Sequence, residues 1–181
     1  NNIAYYPEQC AKNSTPVMDA FLNSCRTAGI TPVENGLDCD AVVIWSILWN
    51  GRMSKNKSTY EHYRSLGKPV VIIDAGALER EVTWKVAVNN ITSEGYYGHT
   101  ENLDYDRPKK LGVSLQKNKL NDKILIAAQH NKSLQWEGMP SLEDWTVDLI
   151  HKIRKYSDRH IVVRYHPRCP FFIPTQRFKM L

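Results

Sequence analysis

The sequence predicts an α/β protein built from two lobes, each with a mainly parallel sheet, of which the second is incomplete. Short apolar runs of strand length alternate with helical patterns, which is the order of repeated strand–helix–strand units. The runs are continuously apolar, as expected for strands buried on both faces of a sheet. A polar stretch over residues 96–122 separates the two series of elements and is predicted to be a linker.

The first lobe, residues 1–95, is predicted to hold five strands and three helices. The strand candidates are Asn2–Tyr6, Ile30–Glu34, Asp40–Leu48, Val70–Asp74 and Trp84–Ile91. The first helix is predicted to have Thr15 as its N-cap, Pro16 at its first position and Gly29 at its end. Further helices are predicted over Tyr60–Leu66 and around Leu78–Val82. Right-handed crossovers then place all the strand carboxyl ends at one edge of the sheet.

The second lobe, residues 123–181, is predicted around two apolar runs that flank one helix. Ser141 and Asp144 fit a helix-capping pattern at the start of that helix. Its apolar stripe is predicted from Leu142, Trp145, Leu149, Ile150, Ile153 and Tyr156. Two strands and one helix are too few to cover both faces of a sheet, so this lobe is expected to be the less stable one.

Polar side chains follow both apolar runs of the second lobe. Gln129 and His130 follow the first run, and Arg164, His166 and Arg168 follow the second. Ligands bind at the carboxyl edge of open parallel sheets, and guanidinium groups pair with phosphate oxygens through two bonds at once. The pattern therefore predicts a phosphate or diphosphate site, with an exposed strand end and a surface salt bridge as the alternative. His166 would donate to a phosphate or act as an acid near neutral pH, or else be a hydrogen-bonded structural histidine.

The first lobe also carries candidate residues at its predicted carboxyl edge. The edge set is Tyr6, Ser46, Trp49, Asn50, Asp74, Gly76, Asn89 and Asn90. Asp74 is a candidate general base for an acceptor hydroxyl, or else the N-cap of the next helix. Trp49, Asn50 and Gly76 are candidate acceptor-side residues, although Trp49 would serve equally well as a packing residue as by stacking on a base or sugar.

The composition and the missing motifs exclude several classes. A chain that is 42% hydrophobic and 24% charged is typical of a soluble globular protein, and its net charge of +5 permits a polyanionic partner. The sequence contains no GxGxxG, GxxxxGK[ST] or GxSxG motif. Enzymes that bind a dinucleotide cofactor, P-loop NTPases and α/β-hydrolases are therefore disfavoured.

Cysteine usage and hydropathy point to a chain without metal, disulfide or membrane span. Cys10, Cys25, Cys39 and Cys169 form no CxxC pair, and no histidine stands at zinc spacing beside them. We therefore expect no metal site, no disulfide framework and a reducing, cytoplasmic location. No apolar run reaches the length of about 18 residues that a membrane span needs, and no signal peptide is visible.

Several short segments, taken in their order along the chain, resemble those of a known protein family. They are Asp-Arg-Pro-Lys-Lys-Leu-Gly at 106–112, the run 123–129, Trp145, Asp158-Arg159, and Arg-Tyr-His-Pro-Arg at 164–168. With two Rossmann-like lobes joined by a linker, this order resembles the GT-B class of glycosyltransferases over residues 40–168. The likeness is closest to phage and capsule-polysaccharide-type transferases.

The resemblance implies a GT-B-like enzyme that moves a sugar from a nucleotide-diphosphate donor to a hydroxyl acceptor, with no cofactor. Gln129, His130, Arg164 and Arg168 would face the donor diphosphate in a cleft between the lobes. His166 and a first-lobe carboxylate such as Asp74 would be catalytic. The phage-like pattern and the mild basicity allow a hydroxylated DNA base as acceptor. Two alternatives stay open: a non-catalytic nucleotide- or polyanion-binding module completed by a partner chain, and a nucleotide-sugar epimerase.

The sequence departs from the GT-B pattern after the His-Pro segment. A second lobe of that class continues for several more strands, whereas this sequence stops at Leu181. We therefore expect about a hundred further residues to be missing. The apolar tail is expected to need a covering surface, and it consists of Phe171, Phe172, Ile173 and Phe178.

Overall fold

The computed structural model describes residues 1–79, 81–99, 101, 103–115, 117, 121–132 and 136–174. The chain divides into two compact units, Asn1–Ser114 and Leu115–Leu181. No helix within the described ranges is long and apolar enough to cross a membrane. Phe178 of the predicted apolar tail lies outside the described residues.

The described part of the first unit forms a five-stranded sheet in the order β2-β1-β3-β4-β5. The strands are β1 Asn2–Tyr5, β2 Thr31–Glu34, β3 Ala41–Trp45, β4 Val70–Ala75 and β5 Trp84–Val88. The first four are parallel, and β5 runs antiparallel to β4. The predicted α/β class with a mainly parallel sheet is therefore confirmed.

Two helices connect the parallel strands of this sheet. Helix α1, Thr15–Thr27, follows β1, and α2, Asn56–Ser65, links β3 to β4. Gly29 lies just beyond α1 with φ +74°, which confirms the predicted stop. The predicted N-cap was wrong by one residue, because Ser14 stands at the N-cap position of α1, without a side-chain capping bond, while Thr15 and Pro16 occupy the first two helical positions. A single helical turn, α3, spans Arg107–Lys110 within the predicted linker.

The sheet buries both of its faces, because successive strand residues alternate between them. One face packs with Tyr63 of α2 and carries Ala4, Val42, Ile44, Val70, Ile72 and Ala87. The other packs with Met18 and Cys25 of α1 and carries Ile3, Val43, Trp45 and Ile73. This arrangement explains why the strand sequences are continuously apolar.

The end of β3 and the start of α2 differ from the prediction. Strand β3 stops at Trp45, because Ser46 turns the chain with φ +61°. Trp45 and Trp49 therefore do not share a strand face. Trp45 packs edge-on against Trp84, whereas Trp49 lies over Tyr60 at the other core. Helix α2 begins at Asn56, four residues before the predicted start at Tyr60.

The connection from β4 to β5 is a hairpin, which corrects two further predictions. Residues 77–79 and 81–82 form bends and turns instead of the predicted helix, so Asp74 is not a helix N-cap. Because β5 is antiparallel, its carboxyl end lies at the opposite edge of the sheet from that of β4. Asn89 there donates its backbone N–H to Val70 O over 2.7 Å, at the start of β4. Asn89 and Asn90 are therefore not carboxyl-edge residues of the parallel strands.

The second unit holds β6 Lys123–Ala127, α4 Leu142–Arg154 and β7 His160–Arg164, with β6 and β7 parallel. Ser141 caps α4 as predicted, accepting from Asp144 N over 3.0 Å. The buried residues of α4 are Leu142, Thr146, Val147 and Ile150. The predicted apolar stripe was wrong in part, since Tyr156 follows the helix and is 89% exposed.

One face of the β6–β7 sheet is open. Ile126 is buried, and Ile161 lies on the same face by strand alternation and register. On the other face, Leu125 and Val162 stand in register across the two strands and are 58% and 37% exposed. The open face agrees with the expectation that this unit has too few elements to cover its sheet.

Candidate anion-binding site

The segments that leave β6 and β7 run side by side. Strand pairing continues past the end of β6, where Ala128 donates its N–H to Arg164 O over 2.8 Å. His130 and His166 follow on the two segments, and their rings meet edge to face with centroids 4.8 Å apart. The parallel register of the strands, Ala127 opposite Arg164, thus brings together two histidines that are 36 positions apart in the sequence.

Each histidine closes the same kind of turn. Lys132 donates its backbone N–H to Nδ1 of His130 over 3.0 Å, and Arg168 donates its own to Nδ1 of His166 over 3.2 Å. An imidazole nitrogen that accepts a hydrogen bond carries no proton, so the proton of each neutral ring is on Nε2. The two turns therefore present two Nε2–H donors.

The site has a positive potential. Burial, the largest cause, lowers the pKa of His130, and the charges of His166, Lys132 and Arg168 lower it further. The ion pairs found in the described part of the chain, Lys57–Glu61 and Lys110–Asp104, both lie in the first unit. Neither of these ion pairs involves Lys132, Arg164 or Arg168. An oxyanion is the ligand that suits such a group of donors.

The predicted donor-site residues occupy three kinds of position around this pair. His130, His166 and Arg168 are drawn together by the two turns. Gln129 is half-buried directly before His130. Arg164 is exposed at the last position of β7, opposite Ala127.

Lys132 was missed by the sequence reasoning. The signal that would have found it is a repeated pattern, His-x-Lys at 130–132 and His-x-Arg at 166–168, each shortly after a strand.

The first unit has its own polar group at the carboxyl ends of β3 and β4. Ser46 is buried, donates its hydroxyl to Asp74 Oδ2 over 3.0 Å and accepts from Leu48 N over 3.2 Å. The other oxygen of Asp74 accepts from Ala75 N over 2.7 Å. The carboxylate is thus held at the sheet edge, and both oxygens keep lone pairs that can accept from an incoming hydroxyl.

Two of the three predicted acceptor-side residues, Trp49 and Gly76, have structural roles in the first unit. The Trp49 ring lies 5.6 Å from that of Tyr60 at the edge of the core. Gly76 closes the β4–β5 hairpin by donating to Thr83 O over 2.9 Å, and a Cβ at this position would collide with that carbonyl. Asn50 is exposed before a 3-10 turn at Gly51–Met53.

The crevice between the carboxyl ends of β1 and β3 is where the strand order reverses and where open sheets bind ligands. Asn56 occupies it with 1% exposure, donating Nδ2–H to Trp45 O over 2.7 Å and to Gln9 O over 3.3 Å. Oε1 of Gln9 is buried there without a hydrogen-bond partner in the described structure. Neither residue has a sequence signal that would have revealed this position.

A second concavity lies at the opposite edge of the same sheet. It is an apolar cavity of about 630 Å³, lined by Ile3, Phe21, Cys25, Ile30, Ala41 and Val71 among others. Its position at the amino ends of β1, β3 and β4 separates it from the Ser46–Asp74 group.

No protein-family model, curated protein or solved structure matches this chain. Within the described residues, no three His, Cys, Asp or Glu side chains are grouped so that they could hold a metal ion.

Proposed function

We propose that the second unit binds the diphosphate of a nucleotide sugar at the carboxyl edge of β6 and β7, as part of a GT-B-like glycosyltransferase. The observation that carries this proposal is the pair of matched turns at His130 and His166. They set two N–H donors on rings 4.8 Å apart, beside Lys132 and Arg168. The cations have no carboxylate partner in the part of the chain that the structure describes.

A diphosphate suits this set of donors better than a carboxylate does. It offers oxygens on two phosphorus atoms, which two neighbouring imidazoles can share. A guanidinium binds two phosphate oxygens in parallel, and the ammonium group of a lysine adds a point charge. A single carboxylate has two oxygens and would leave part of this set unpaired.

The same donors would assist sugar transfer. When the bond between the sugar and the diphosphate breaks, negative charge develops on the leaving oxygen, and fixed donors at that point stabilise the transition state. We propose that Asp74 of the first unit, held by Ser46, takes the proton from the acceptor hydroxyl. The acceptor is proposed to be a hydroxyl compound, and a net charge of +5 is compatible with a hydroxylated DNA base.

A non-catalytic nucleotide-binding module is the second candidate. The observation that favours it is that Trp49 and Gly76, two of the predicted acceptor-side residues, are accounted for by packing and by hairpin closure. Such a module would bind nucleotide diphosphates without turning over nucleotide sugars.

Calorimetry with UDP and UDP-glucose would test the donor site. Arg164→Ala and Arg168→Ala should each weaken binding by about 1.5–3 kcal/mol, the value of a charge-assisted hydrogen bond. Arg159→Ala is the matched control, because Arg159 is exposed and lies just before the amino end of β7. Unchanged affinity in both Arg164 and Arg168 variants would remove the donor-site assignment.

Turnover would separate the candidate functions. Incubation with UDP-sugars and hydroxyl acceptors should release UDP, and Asp74→Asn should abolish release while binding persists. Asp38→Asn, at an exposed carboxylate, is the control. Binding without release would favour the non-catalytic module, and a free epimerised sugar would favour an epimerase.

A further inference from the structure

The two histidines at the strand ends are fixed in one protonation pattern by the backbone. Nδ1 of His130 and Nδ1 of His166 each accept the amide N–H of the residue two positions ahead. A proton on Nδ1 would meet that N–H and break the turn. Each ring therefore keeps its lone pair engaged in the turn and its proton on Nε2.

This pattern limits what the pair can do chemically. A general base or a nucleophile needs a free lone pair on the ring, and so does a metal ligand. On both rings the lone pair is engaged, whereas the Nε2–H groups are donors. The pair can bind an oxyanion without changing its own charge.

We infer that His130 and His166 form one charge-neutral pair of hydrogen-bond donors for a diphosphate, an inference that rests on the proposed function. The backbone amides of Lys132 and Arg168 set the tautomers of the two rings. They bind and position the leaving diphosphate and exchange no proton with it. His166 is then a donor to the diphosphate and not an acid or a base.

The charged groups around His130 favour its neutral state. Burial lowers the pKa of His130, and the charges of Lys132 and Arg168 lower it further, as would a proton on the neighbouring His166 ring. Arg164, at the end of β7, adds a further positive charge at the same edge. No described carboxylate stands against the two rings to favour an imidazolium. The positive charge that attracts the anion comes from the lysine and the arginines.

Substitution of each histidine by asparagine keeps the side-chain acceptor of the turn and removes the imidazole N–H donor. In His130→Asn and His166→Asn the side-chain oxygen can accept the same backbone N–H, as in an Asx turn, but the Nε2–H donor is lost. His160→Asn is the control, because His160 is exposed at the opposite end of β7. The double variant should keep the turns and bind anions at least about tenfold more weakly, the loss of one to two donors to a charged group. Unchanged affinity in the double variant would overturn the inference.

The test on the whole chain uses two probes of constant charge between pH 6.5 and 8.5, sulfate and UDP-glucose. Imidazole nitrogen NMR should show both rings as neutral Nε2–H tautomers at pH 7, with and without sulfate. Affinity for both probes should change by less than about twofold over this range. Uptake of one proton would instead strengthen binding by about tenfold for each pH unit of acidification. That slope, an imidazolium signal on binding, or no sulfate binding at any pH would overturn the inference.

The outcomes for the two proposals are distinct. Neutral tautomers and pH-independent sulfate binding, without binding or turnover of any nucleotide sugar, would support the donor pair and reject the transferase. Sugar transfer with proton uptake at the histidines would support the transferase and reject the neutral pair.

Discussion

Replacing Asn56 should loosen the carboxyl edge of the first sheet. The side chain is 1% exposed, and its Nδ2 donates to Trp45 O over 2.7 Å and to Gln9 O over 3.3 Å, so one amide ties the end of β3 to the turn after β1. Each neutral bond contributes about 1 kcal/mol, and a buried carbonyl left unpaired costs about 1–3 kcal/mol. The second bond is long and should contribute less. Asn56→Ala should therefore destabilise the first unit by about 2–4 kcal/mol.

Amide hydrogen exchange measures this loss locally, because it reports the opening free energy residue by residue. The opening free energies of the amides of Ile3 and Val42–Ile44 should fall by the full loss of about 2–4 kcal/mol. Amides of β6 and α4 belong to the other compact unit and serve as the internal standard. Asn56→Asp keeps the shape but sets an oxygen against the two carbonyls, so it should destabilise at least as much. The exposed Asn50→Ala is the control. A change below about 0.5 kcal/mol in Asn56→Ala would refute the reasoning, since such a value is usual for a surface substitution.

Three further outcomes are expected. Amides of residues 161–165 should exchange faster than those of 70–73, because β6 and β7 leave Leu125 and Val162 exposed on one face; equal protection would show that the second unit is self-sufficient. The free energy of unfolding should fall as pH drops below 6.5, because the pKa of His130 is lowered in the folded protein and the unfolded chain therefore binds more protons than the folded one. The His130→Asn variant should lack this part of the pH dependence. Gly76→Ala should cost about 1–3 kcal/mol in urea unfolding through the clash with Thr83 O, and wild-type stability would contradict the hairpin geometry.

Local signals in the sequence were sufficient for the start of α4 and the end of α1. Ser141 and Asp144 are three residues apart, and their hydrogen bond forms within one turn, so the start of α4 could be predicted without knowledge of its neighbours. Gly29 likewise ends α1 through its own backbone conformation. The start of α2 was misplaced because Asn56 is held by Gln9 and Trp45, which are distant in sequence.

The direction of β5 was the main error in the fold. The connection from β4 to β5 spans only residues 76–83, and a parallel crossover needs about a dozen residues or more. The length of this segment was therefore the available signal. Once β5 is antiparallel, Asn89 moves to the amino edge of the parallel strands, and the list of carboxyl-edge residues shortens accordingly.

By itself the sequence determined the approximate positions of the strands and of α1 and α4, and that cations and histidines follow both strands of the second unit, because periodicity, capping and strand ends are local properties. Only the tertiary structure decided that His130 meets His166 and that each ring accepts a backbone N–H through Nδ1. It also decided that Ser46 holds Asp74. These contacts depend on which strands pair and in which register, and pairing is set by packing between segments far apart in the chain, which no local pattern encodes.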